Sequence, residues 1–100
     1  ISAIEFQVAG TTLAASGTTN YKTLNGYKRE GITGGTQVLV GTVDTQTQAF
    51  TKFTKVSLTL SAVAGALDLL ETDILTVGEA HTGSGATIPA GTLVVYTKVN

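Results

Sequence analysis

The chain has 100 residues, 42% hydrophobic and 13% charged, with six Lys and Arg against seven Asp and Glu for a net charge of −1. That length is enough to bury one core without metal or disulfide staples but too short for two, and so small a charge provides no basic field to gather nucleic acid. Cysteine is absent, the only histidine is His81, and threonine occurs 19 times, which excludes disulfides and thiol chemistry and favours extended backbone.

The charged fraction is well below the roughly 25% of an average globular protein, so Thr, Ser, Gly, Gln and Asn must cover the surface. Such a surface repels its own copies weakly, which favours self-association. The longest apolar run, over 62–70, is interrupted by Gly65 and Asp68 and is far shorter than the roughly 20 residues that cross a bilayer; no membrane insertion is expected. The chain opens on Ile1, which points equally to a leader removed by processing and to the boundary of an excised segment.

Ile4, Phe6 and Val8 alternate with Glu5, Gln7 and Ala9, the period of a strand with one buried face. Flexible Thr, Ser and Gly residues follow, so residues 1–9 are also a candidate donor strand that adds to a neighbouring subunit's sheet. Pairing inside its own domain is the favoured reading. A second short extended piece over 11–15 and a turn over 16–20 come next.

Asn25-Gly26 is a strong hairpin-turn dipeptide. It predicts a small hairpin with arms at 21–24 and 27–29, projecting Tyr21, Tyr27, Lys28 and Arg29 as a partner-contact loop beside the glycine-rich stretch 31–35. Val38, Leu39 and Val40 then form an almost continuous apolar run in a strand over 37–43, expected to be buried on both sides or at an interface. Ile4, Phe6, Val8, Val38 and Val40 are accordingly the candidate subunit contacts.

A turn over 45–48 leads to a strand over 50–60, with Val56, Leu58 and Leu60 facing one way and Lys55, Ser57 and Thr59 the other. Phe53 is out of phase with that set, which predicts a bulge near Phe53 or Thr54. Over 61–75, Val63, Leu67, Leu70 and Ile74 have helical spacing and Ser61 is a candidate N-cap. Against a helix, Gly65 costs about 1 kcal/mol relative to alanine, and Leu67 and Leu69 also alternate. A short helix over 62–72 and an extended segment therefore stand level. Closing strands are expected over 74–77 and 92–99, separated by turns. The whole reads as a single all-β domain over 1–100, a β-sandwich or small β-barrel of about seven strands.

No motif supplies catalysis. His81, Ser84 and Asp73 have the side chains of a nucleophile, base and orienter, but no Gly-x-Ser-x-Gly elbow accompanies them. The glycines at 31, 34 and 35 and at 83 and 85 lack the residues that make a phosphate loop, and Asp68, Glu71 and Asp73 lack the calcium-loop pattern of an EF-hand. Thr45 with Thr47 and Ser57 with Thr59 are too few for an ice-binding ladder. No enzyme activity, cofactor, metal or small-molecule ligand is expected.

By elimination, the sequence points to a non-enzymatic structural subunit of a large self-assembling particle. The composition is similar in texture to virion and surface-appendage proteins, so the first expectation is a virion component such as a phage capsid, decoration or tail-tube protein. Its partners would be copies of itself and other structural proteins of the assembly, in the virion or outside the cell. The alternatives are a secreted filament or pilus subunit, and an immunoglobulin-like adhesion or carbohydrate-binding module that uses loops over 20–35 or 78–91.

Overall fold

The alternation that opens the chain becomes β1 (Ala3–Val8), in which Ile4, Phe6 and Val8 are buried and their neighbours half-buried. A computed structural model of the protein describes residues 1–15, 17, 19–30, 36–70, 73–84 and 86–98. Six further strands follow: β2 (Tyr21–Arg29), β3 (Gln37–Asp44), β4 (Val56–Ser57), β5 (Thr59–Leu60), β6 (Ile74–Thr82) and β7 (Gly91–Tyr96). They form two antiparallel sheets, ordered β4-β1-β7 and β5-β3-β2-β6. The fold is all-β with about the expected number of strands. The sheets do not close on each other, so of the two predicted architectures it is the sandwich and not the barrel.

The sheets meet along one flank. β4 and β5 are consecutive pieces of chain in different sheets, and Leu58 between them donates its N–H to Ile4 O at 2.9 Å while Ser61 donates to Val40 O at 3.0 Å. Val56 and Leu58 point into the core, as their spacing predicts. The strand expected over 50–60 is not continuous and the bulge expected near Phe53 or Thr54 does not form: Phe50 makes only an isolated bridge to Leu13, and Phe53 sits at φ 62 in a turn before β4, so the change of phase is an interruption of the strand. Outside the three-stranded sheet, Lys55 Nζ lies 3.3 Å from the Tyr96 hydroxyl. That hydrogen bond first, then the charges of Tyr96 and Glu5, hold the exposed Lys55 ammonium above the ordinary lysine range.

The core is a continuous cluster of Ile4, Phe6, Val8, Leu24, Val40, Phe50, Val56, Leu58 and Ile88. The rings of Phe6 and Phe50 pack tilted, with centroids 5.9 Å apart. At its centre the four-stranded sheet has a pit. Gly26 of β2 lies directly opposite Gly41 of β3, and because Tyr27 opposes Leu39, Val40 is an extra residue that forms a β-bulge. A Cβ on Gly41 would lie 3.3 Å from both Ile4 Cδ1 and Leu58 Cβ, and one on Gly26 would lie 3.5 Å from Val40 Cγ2. The side chain of Ile4 therefore reaches from one sheet into the backbone floor of the other.

Two sequence expectations fail here. Asn25-Gly26 does not turn the chain; it lies mid-strand in β2, flanked by β3 and β6, because ladder pairing on both sides overrides the turn preference of the isolated dipeptide. Of the two readings of β3, burial on both sides fails, with Leu39 40% exposed, since the bulge places both Val40 and Gly41 inward. Of the two level readings over 61–75, the short helix over 62–72 is absent among the described residues. Residues 63–67 form turns around Gly65 at φ +80, a conformation outside the right-handed helical region that glycine adopts without strain. The strand over 92–99 is shorter, β7 ending at Tyr96, and 31–35, Glu71 and Val99 lie outside the described residues.

Filling the pit is the direct test of this packing. Gly41→Val should lower stability by about 1–3 kcal/mol, the usual cost of overpacking a core, read as a lower urea midpoint at unchanged slope.

Candidate functional site

Most residues expected at contacts turn out to build the domain. Ile4, Phe6, Val8 and Val40 are each at most 7% exposed, so they are core residues and not surface contacts, and Val38 is half-buried. β1 is the central strand of its own sheet, paired with β4 on one side and β7 on the other. In this arrangement residues 3–8 pair within their own domain.

The predicted partner-contact group does not form a projecting loop. Tyr21, Tyr27, Lys28 and Arg29 all lie within β2. Tyr21 and Tyr27 are on its outer face, half-buried, and the Tyr27 ring covers Gly78 of β6, whose Cβ position lies 3.8 Å from Tyr27 Cε2. Arg29 Nη2 donates to Gln37 Oε1 across the β2–β3 ladder at 2.9 Å. On this outer face Thr42 also donates to Asn25 Oδ1 at 2.7 Å.

Lys28 faces inward and is 4% exposed. A lysine buried among apolar side chains is unfavourable unless its ammonium is hydrogen-bonded. Here Nζ donates to Gly65 O at 2.8 Å and Asp68 O at 2.7 Å, with the Glu30 carboxylate 3.7 Å away. Lys28 is thus a latch that ties the 63–68 turns to the inner face of β2. The same segment is held from the other side by the amine of Ile1, which donates to Leu67 O at 2.8 Å. Beside Ile1 opens a cleft of about 550 Å³ lined by Ile1, Leu67–Leu70, Thr97 and Lys98.

The candidate catalytic and metal groups are separated. His81 and Asp73 lie at opposite ends of β6, and eight residues of extended chain span roughly 26 Å. Ser84 lies beyond the strand, its N–H donating to Asn20 Oδ1 at 2.9 Å. Asp73 Oδ2 accepts from Leu70 N at 2.9 Å, Asp68 meets Lys28 through its backbone carbonyl, and Glu71 lies outside the described residues. Among the described residues no group of three or more His, Asp or Glu side chains is placed to hold a metal ion, and no helix is long and apolar enough to cross a membrane.

What the sequence did not reveal is the surface of β6. The expected strand over 74–77 extends through Thr82, taking in His81, and is the last strand of its sheet, paired only with β2. Its register with β2 runs unbroken over nine pairs, from Tyr21 opposite Thr82 to Arg29 opposite Ile74. Leu75, Val77, Glu79 and His81 share the inward face with Leu24 and Lys28, yet Val77 is 50% exposed and Ile74 on the outer face 47%. The three-stranded sheet, ending in β7, does not reach over them. Glu79, the one charge within the strand, leans back to Lys22 Nζ at 3.9 Å and accepts from Ile88 N at 3.4 Å. β6 therefore carries neither the Lys, Pro nor bulge with which proteins protect a sheet edge. The run Ile74-Leu75-Thr76-Val77 marks a strand, but nothing local shows that it has one neighbour and not two. A second exposed apolar feature is Phe53, 71% exposed at its positive φ with Lys52 Nζ 5.8 Å from its ring centroid.

Replacing Lys28 tests the latch. Lys28→Met keeps the aliphatic stem but removes the donor to two part-buried carbonyls, so stability should fall by about 1 kcal/mol and proteolysis should begin within 61–70.

No protein-family model matches the chain, and neither a curated protein nor a solved structure shows significant similarity to it.

Proposed function

We propose that this protein is a non-enzymatic structural subunit of a large self-assembling particle, in the first place a virion component such as a capsid, decoration or tail-tube protein of a phage. The observation that carries this reading is the open flank of the sandwich. Away from the β4–β5 corner the two sheets end in β6 and β7, nine and six residues long, each paired on one side only. Unpaired N–H and C=O groups along such edges are templates for further strands, and the weak charge of −1 opposes their association little.

The surface composition supports the same reading, since hydroxyl and amide groups cover the strands where an enzyme would gather titratable side chains. A secreted filament subunit would use these edges in the same way, and the location of the assembly, virion or extracellular, separates the two. The adhesion or carbohydrate-binding alternative loses its main support, because Tyr21 and Tyr27 sit half-buried within a strand and not at a loop tip.

Sedimentation velocity and electron microscopy of the purified chain over a wide concentration range test the proposal. Species much larger than a dimer, forming particles, rings or filaments alone or with proteins of the same source, are the expected result. A chain that stays monomeric at high concentration and is recruited into no assembly would contradict it.

A further inference from the structure

We infer that residues 62–70 form a strap that opens and recloses as one unit while both sheets stay folded, with Lys28 as its latch. The motion belongs to the single domain and holds whether or not the chain assembles.

What ties the strap to the sheets is small and largely polar. Among the described residues, no backbone group from Val63 to Leu70 belongs to a strand ladder. The turn bonds from Ala66 N to Val63 O at 3.1 Å and from Asp68 N to Gly65 O at 3.2 Å stay inside the strap and move with it. Its entry is pinned where Ser61 donates to Val40 O. Beyond that hinge, the bonds that join the described strap to the sheets are Lys28 Nζ to Gly65 O and Asp68 O, and Ile1 N to Leu67 O. Ala66 is buried and Leu67 packs against the core, while Val63 and Leu70 are each 70% exposed. β1, by contrast, buries Ile4, Phe6 and Val8 and is paired on both sides. Segments with little buried apolar surface and few shared backbone bonds open well before the core does. A cleft of about 250 Å³ lined by Lys28, Glu30, Val38 and residues 63–66 leaves the strap loosely packed on the sheet below it.

A polar latch is suited to reversible opening. An apolar plug withdrawn from a core loses its contacts outright, whereas an ammonium released from two carbonyls exchanges them for water, so the net contribution of each bond to the closed state is small. The long stem of Lys28 can carry its charge to solvent, and the Glu30 carboxylate, 3.7 Å away and half exposed, remains beside it on the chain. No charge is stranded in the open state. Opening also changes what the sheet presents. Lys28 lies opposite Val38 on one side and Leu75 on the other; closed, the strap shields Lys28 at 4% exposure while Leu75 is already 36% exposed. Open, the whole row Val38, Lys28 and Leu75 becomes accessible, so the strap sets how far the uncovered inner face extends.

Pulsed acetylation of the native chain at low conversion, read lysine by lysine by mass spectrometry and paired with amide exchange of Ala66 and Asp68, tests the motion. Exposed Lys52 should label at once. Lys28 should label slowly, by a factor that matches the protection of the Ala66 and Asp68 amides, and that factor should be insensitive to low urea that speeds exchange of the β1 amides. Gly65→Ala adds a Cβ that meets nothing but places alanine at φ +80, a left-handed conformation that costs an ordinary residue free energy in the closed strap; it should speed labelling of Lys28 roughly fivefold or more.

Labelling of Lys28 as fast as Lys52 would overturn the inference, since the latch would then not be closed. Labelling of Lys28 only at the rate and urea dependence of the β1 amides would overturn it as well, because the segment would then open only with the whole domain. So would a Lys28 rate in Gly65→Ala no different from that of the parent chain.

Discussion

Ile4 entering the Gly26–Gly41 pit is the contact on which the rest of the domain depends. Two strands meet there with no side chain between them, and the space is filled from the opposite sheet by Ile4 and Leu58. Stacked sheets ordinarily sit about 10 Å apart, the thickness of two interdigitating layers of side chains; the glycine pair removes part of one layer. The chain crosses between the sheets on that line at Leu58, whose N–H bonds to Ile4 O. Burial of a branched aliphatic side chain stabilises by about 1.5–3 kcal/mol, a large share for a domain of this size.

Joining the sheets at β1, β3 and β5 determines where they separate. A three-stranded sheet cannot cover a four-stranded one, and the excess falls on the side away from the corner, where β6 lies. Part of that uncovered inner face is closed by the 63–68 turns, where Ala66 is buried and Leu67 packs against the core. Polar contacts hold them as well, the ammonium of Lys28 on one side and Ile1 N on the other. No comparable covering extends over Leu75 and Val77. The open edge thus follows from how the core is packed.

Local pattern revealed the parts of this fold that local pattern controls. The alternation of Ile4, Phe6 and Val8, the inward set Val56 and Leu58, and the disruption at Phe53 were all legible, because each depends on which face of a short strand is buried. Asn25-Gly26 misled because its turn preference is a property of the isolated dipeptide, while its place in mid-strand comes from pairing with β3 and β6, distant in sequence. Lys28 looked like a surface cation for the same reason, since the carbonyls that satisfy it belong to residues 37 and 40 positions away. The candidate site was the least legible of all. Whether β6 has one neighbour or two is a matter of sheet order, and strand order is not written in any local period.

The central claim is that packing around the glycine pit secures β1, β2 and β3 and leaves β6 as an open edge. Amide hydrogen exchange of the native chain, resolved by residue and repeated from dilute to concentrated solution, measures both halves at once. The account predicts that the hydrogen-bonded amides of β1 and of the β2–β3 ladder exchange slowly at every concentration, whereas alternate amides of β6 exchange fast when dilute and become protected as the chain associates. Outward amides of β6 as protected in dilute monomer as those of β1, or unprotected when the chain is fully associated, would contradict it.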